Sequence, residues 1–264
     1  MKRGIACFLL VVMLGAVQAH EFWLLPTQFK YKVGDLLQVD FKVGESFEGD
    51  YWNLEKNSVD KIEIHNRIGT VDLSTKVKNT RGQNVEYTFN NVGTHLISMQ
   101  SGESYIESTP EEFEAYLEED GLQYIQEERE KLGEQNKVSR EVYSRYAKLL
   151  VQAGDRTDDT FQKIAGLKYE VVPLQNPYDL KSGDYMDCKI LFRGNPEPHA
   201  LVKVWNHIGN RTFLQNIYTE SDGMIRFPIS NNGSWMVSSV KMIRSNSNKA
   251  EWESMWGSLV FGIQ

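Results

Sequence analysis

The chain has 264 residues, with 29 Lys and Arg against 36 Asp and Glu, for a net charge of −7. That acidic balance argues against nucleic acid or anionic lipid as a partner, because the backbone share of such binding is carried by Lys and Arg. The length suffices for two domains of about 100 residues with a connector.

Lys2 and Arg3 precede an uncharged apolar stretch from Ile5 to Val17, and Val17-Gln18-Ala19 puts small residues where a signal peptidase reads. Residues 1–19 therefore read as a secretory signal and stand outside the fold. The apolar run is shorter than the roughly 18 residues a membrane span needs. Cleavage after Ala19 would make His20 the first residue, remove Lys2 and Arg3 and bring the charge to −9. The expected location is periplasmic or secreted, with no transmembrane segment left after cleavage. Only Cys188 remains in the processed chain, so no internal disulfide is expected. Its strand-like setting, DYMDCKILF, points to a buried structural thiol.

Residues 20–107 read as an N-terminal β-sandwich. Leu36 to Val43 and Lys61 to His65 alternate, Val85 to Phe89 follows, and Asn90-Asn91-Val92-Gly93 turns into Thr94–Met99. Short strands parted by Gly and Asn turns are the grammar of a sandwich. Glu45 to Asn57 breaks that rhythm and reads as a long loop or bulge carrying Phe47, Tyr51 and Trp52.

Residues 108–166 read as a helical insert with a polar loop. Ser108 or Thr109 caps a helix, Pro110 suits its first turn, and Glu111 and Glu112 complement its dipole. Phe113, Tyr116 and Leu117 share one face. A second helix runs through Leu132. Val142, Tyr146, Leu149 and Leu150 predict a third, starting near Ser139. On it, Glu141 and Arg145 would pair at i, i+4, with Arg140 to Lys148 as scaffold or as a basic surface. Glu118-Glu119-Asp120 reads as a solvated helix face.

Residues 167–264 return to strands with turns at Arg193-Gly194-Asn195-Pro196, Gly209-Asn210, Asp222-Gly223 and Asn232-Gly233. They read as a second compact sandwich, its core filled by Trp205, Trp235, Trp252 and Trp256. The fold class is mainly β: two β-sandwich domains, immunoglobulin-like or transthyretin-like, joined by a helical segment.

His20 carries the sharpest chemical reading. A free α-amine has a pKa near 8 and an imidazole one near 6.5, so the amine nitrogen and ring Nδ1 of one terminal residue can chelate one metal ion. Such nitrogen ligands favour copper or nickel over magnesium or calcium. His65 ends the strand KIEIH and His95 opens the strand THLIS, so folding could bring either beside His20. The candidate metal ligands are thus His20, His95 and His65, with one transition-metal ion as cofactor. His199 and His207 flank ALVKVW at opposite ends and do not suit one ion. No GxSxG elbow or glycine-rich phosphate loop is present, and the chain reads as a non-enzyme more readily than an enzyme.

The segments HEFWLLP, SREVYSRYAKLLV, VVPLQNPYDLKSGD, TESDGMIRFPI, WMVSSVKM and WESMWGSLVF resemble the secreted bacterial family called domain of unknown function 4198. Its members are often labelled periplasmic components of cobalt or nickel uptake, which implies a membrane metal-uptake or envelope protein as partner. The stretch from 185 to 240 resembles a transthyretin-like or Cna-B-like module. In the family the leading histidine maps onto His20. Many relatives carry a histidine in the strand that here reads SSVKM, where this chain has Val240 and Lys241. The resemblance implies binding or delivery of nickel, cobalt or copper. Two other readings stay open: a carbohydrate- or protein-binding adhesion module without metal, and an oxidative copper enzyme built on an amino-terminal histidine.

Overall fold

The computed structural model describes residues 21–263. The chain begins with β1 (Glu21–Pro26), β2 (Lys30–Tyr31), β3 (Leu36–Glu45), β4 (Glu48–Tyr51), β5 (Val59–Asn66), β6 (Gly69–Asp72), β7 (Val85–Thr88), β8 (Gly93–Ser101) and β9 (Ser104–Ser108). Two helices follow, α1 (Pro110–Glu119) and α2 (Gln123–Lys131), and then the long strand β10 (Ser139–Ala153). The remainder is β11 (Tyr169–Pro173), β12 (Tyr185–Phe192), β13 (Asn195–Pro196), β14 (Leu201–Ile208), β15 (Arg211–Tyr218), β16 (Met224–Pro228), β17 (Gly233–Arg244) and β18 (Trp252–Ile263).

A ten-stranded sheet forms the middle layer, its main path running β15-β14-β17-β18-β10-β8-β5-β6. Strands from both ends of the sequence meet in it. β10 is the seam: it pairs parallel with β18 from Glu141↔Trp252 to Leu149↔Val260, and antiparallel with β8 and β9 on its other side. One outer sheet, of β1, β3, β4 and β7, covers one face. Between the two lies a core that includes Trp23, Phe41, Ile64, Ile97, Leu149 and Trp205. The other outer sheet, of β11, β12, β13 and β16, covers the opposite face over Leu96, Leu150, Val204, Phe227 and Phe261. The protein is therefore mainly β, with two sandwiched cores that share their middle sheet. Trp205, Trp235, Trp252 and Trp256 are buried, as expected of core residues.

Two local expectations are corrected. Residues from Ser139 onward form β10, not a helix. Tyr146 and Leu150 face one core while Ala147, Leu149 and Val151 face the other, so burial on both faces erases the period-two signal. Glu45 to Asn57 is not one loop either: β3 and β4 form a hairpin turned by Ser46 and Phe47 at positive φ.

The helices behave as their sequence predicts. The Thr109 side chain accepts from the Glu112 backbone N–H, and the Glu112 carboxylate accepts from the Thr109 backbone N–H. Phe113 and Leu117 are fully buried against Val240, Met242, Trp252 and Trp256; each contributes on the order of 2 kcal/mol by leaving water. No helix among the described residues is long and apolar enough to cross a membrane.

Candidate functional site

β1 starts where the first outer sheet meets the helical layer. Glu21 pairs with Gly44 of β3, and the Phe22 carbonyl accepts a 2.7 Å bond from the Ser258 hydroxyl of β18. Lys203 on β14 points at the same place. Its ammonium lies 2.8 Å from Asp120, 3.4 Å from Glu21 and 3.7 Å from Glu119. Glu21 and Asp120 are each only 5% exposed, so most of this charge is withdrawn from water.

Asp120 arrives there because of the end of α1. It caps the helix, its N–H donating to the carbonyls of Tyr116 and Glu118. Gly121 follows at φ +69, where a Cβ would stand 2.5 Å from the Leu201 Cβ. Only glycine allows both that turn and that approach, and the result seats Asp120 over β14. The reading of residues 118–120 as a solvated face holds for the exposed Glu118 and Glu119 but not for Asp120.

Electrostatically the cluster has more acid than base. Burial pushes the Asp120 carboxyl up to about 7 despite the neighbouring Lys203 ammonium. Burial also raises Glu21, again against the pull of Lys203. Burial alone would lower the Lys203 ammonium, but Asp120 and Glu21 outweigh it and raise it.

A second buried polar group continues along the same face of the sheet. Glu141 on β10 accepts from the Ser254 hydroxyl and from Tyr116, and burial lifts its carboxyl to about 7. Trp256 donates its indole N–H to Ser254 at 3.1 Å and stacks on Tyr116 with centroids 5.7 Å apart. The Arg145 guanidinium lies over the Phe22 and Tyr143 rings, and its Nε has no hydrogen-bond partner among the described residues.

Two of the three histidines singled out by sequence, His65 and His95, lie elsewhere. His20 falls outside the described residues. His65 uses both ring nitrogens, bonding Thr70 and Ser98 at 2.9 Å each, and burial holds its pKa down at about 4. His95 is buried beside Phe89 and Tyr87. Its Nδ1 bonds the Gly93 carbonyl at 3.1 Å and its Nε2 has no hydrogen-bond partner among the described residues. His65 stands opposite Leu96 in the β5–β8 ladder, so His65 and His95 point to opposite faces of the middle sheet and cannot hold one ion. His95 also sits at the far end of β1 from Glu21. The Phe29 carbonyl bonds the Gln152 N–H, and Gln152 pairs with Thr94. The six residues of β1 span roughly 20 Å. Among the described residues no group of three His, Cys, Asp or Glu side chains is arranged to hold a metal.

Sequence reasoning missed Asp120, Glu141, Arg145 and Lys203 as one neighbourhood. The only local signal was the Asp120-Gly121 helix stop. Cys188 is buried and burial raises its thiol, which removes it as a nucleophile.

These features define a mainly β protein of stacked sheets with a buried carboxylate–lysine cluster at the start of its first strand. The family model "Domain of unknown function (DUF4198)" matches residues 17–242, and the chain belongs to that family. Among curated proteins no match is found. Among solved structures, dimeric latent PorU from Porphyromonas gingivalis is similar at 11% identity and a TM-score of 0.20, over 100% of this chain and 22% of that chain. A likeness at that level carries no argument about fold or function.

Proposed function

We propose that this is an extracytoplasmic transition-metal protein that binds or delivers nickel, cobalt or copper through His20 as its mature first residue. The observation that carries the reading is the excess of acid where β1 begins: buried Glu21 and Asp120 and exposed Glu119 share one lysine. Such a site favours additional positive charge, and His20 directly precedes Glu21 in the chain. Cleavage after Ala19 would free an α-amine there. Amine and imidazole nitrogens would be the principal ligands, and a carboxylate oxygen would supplement them. His65 drops out of the ligand set because both its nitrogens are engaged, and His95 because it lies under the far end of β1. A periplasmic or secreted location and a membrane metal-uptake or envelope partner belong to the same reading.

The test is calorimetric titration of Ni(II), Co(II) and Cu(II) into the processed, metal-free chain. One equivalent is expected to bind with micromolar or tighter affinity. Glu21→Gln, which removes a carboxylate beside the ligand residue, is expected to weaken binding by about tenfold. Absence of stoichiometric binding for all three ions contradicts the proposal.

A further inference from the structure

We propose that β15 is a self-pairing edge through which two copies of this chain join their middle sheets into one continuous sheet. β15 stands last in the strand order. Its pairing with β14 starts at Ile208↔Arg211 across Gly209-Asn210. Past its end, the Thr219 N–H and C=O bond Ala200 and His199, on the β14 side. Backbone groups alternate between the two sides of a strand. Arg211, Phe213, Gln215 and Ile217 therefore bond β14, while Thr212, Leu214, Asn216 and Tyr218 turn their N–H and C=O groups to the open edge.

That edge lacks the usual protection. Folded proteins blunt sheet edges with charge, proline or shortness. β6, at the other end of the same sheet, is four residues long and ends in Asp72. β15 has eight residues, no proline and no acid, and its only charge is Arg211 at its start. Phe213, Leu214 and Tyr218 are 51%, 44% and 54% exposed.

A second copy fits this edge better than an arbitrary strand because the sequence is self-complementary in one antiparallel register. With Gln215 on the two-fold axis, Leu214 faces Asn216 and Thr212 faces Tyr218 as hydrogen-bonded pairs. All four outward residues of each copy are then satisfied, giving about eight backbone bonds. Phe213 meets Ile217 of the second copy, an aromatic–β-branched pair of the kind that stabilises sheets. Charge agrees. Two chains of −7 repel overall, yet the pairing strands carry no acid, and Arg211 of each copy comes to lie beside Thr219-Glu220 of the other.

The test uses the full chain, expressed with its leader, in sedimentation equilibrium over about 1–100 μM, the range in which modest interfaces dissociate. A monomer–dimer equilibrium is expected. Asn216→Pro removes an N–H that β14 does not use, a position where an edge strand tolerates proline; it should abolish the dimer and leave the circular dichroism spectrum and melting temperature unchanged. Gln215→Cys places a thiol on the axis, where the Cα atoms of a non-hydrogen-bonded pair are about 4.5 Å apart, within disulfide range. Oxidation should cross-link Gln215→Cys and leave Phe213→Cys uncross-linked. A chain that stays monomeric throughout with no cross-link through Gln215→Cys overturns the proposal, as does a dimer that Asn216→Pro leaves intact. Capture of an unrelated extended peptide at this edge by a monomeric chain also overturns it.

Discussion

At Asp120 two opposing effects act on one carboxyl group. Burial lifts it to about 7 against the pull of Lys203. Between about pH 4 and 7 the folded chain keeps a proton that the unfolded chain has released, so this group's contribution to stability falls as pH rises through that window. Glu141, also lifted to about 7 by burial, acts in the same direction. His65 acts oppositely: burial and then Lys163 hold it at about 4. The unfolded chain takes up a proton below about pH 6.5 that folded His65 refuses, so stability is lost as pH falls from there toward 4. Asp120→Asn is expected to melt with the wild type below about pH 4 and progressively above it as pH rises to about 7, since Asn resembles the protonated acid in both folded and unfolded chains; calorimetry across that range reads the offset, and an offset independent of pH contradicts the assignment. His65→Gln is expected to cost about 1–3 kcal/mol in denaturant unfolding and to leave metal stoichiometry unchanged. A lost metal equivalent in that variant would return His65 to the ligand set.

At the level of elements, legibility followed the range of the determining contacts. α1 was readable because its capping box and its Phe113–Leu117 face lie within nine residues. The alternation of Leu37, Val39 and Phe41 likewise marked β3, which buries one face. β10 was not readable, because a seam strand buried on both faces scatters apolar residues at spacings that also satisfy a helix. The polar cluster was hidden for a related reason. Asp120, Lys203 and Glu141 look like ordinary charges in their own windows, and only the docking of α1 onto β14 and β10 reveals them as buried. Thr109→Ala is expected to destabilise the chain by about 1 kcal/mol through the lost cap. Gly121→Ala should do more, since it strains a left-handed residue and drives a methyl into Leu201. Loosening α1 would expose Trp252 and Trp256 and shift tryptophan emission to the red; unchanged emission and melting in Gly121→Ala would contradict this account of how α1 is seated.

For the whole molecule, the shared middle sheet couples the two ends of the sequence. β10 is bonded to β18 on one side and to β8 and β9 on the other. Each outer sheet packs on a layer to which both ends contribute. The fully buried Lys148–Glu170 pair ties β10 to the start of β11, with the Ala165, Gly166 and Leu167 N–H groups also donating to Glu170. Unfolding is therefore expected as one calorimetric transition; two separable transitions would mean that the halves do not depend on the seam.

The central claim is that metal is held by the processed amino terminus. It is tested most directly by titrating Cu(II) and Ni(II) into protein whose intact mass establishes His20 as residue one, beside the same protein carrying one extra Ala ahead of His20. Stoichiometric binding is expected in the first and its loss in the second, because the extra residue converts the α-amine into an amide. Equal binding in both, or none in either, would contradict it.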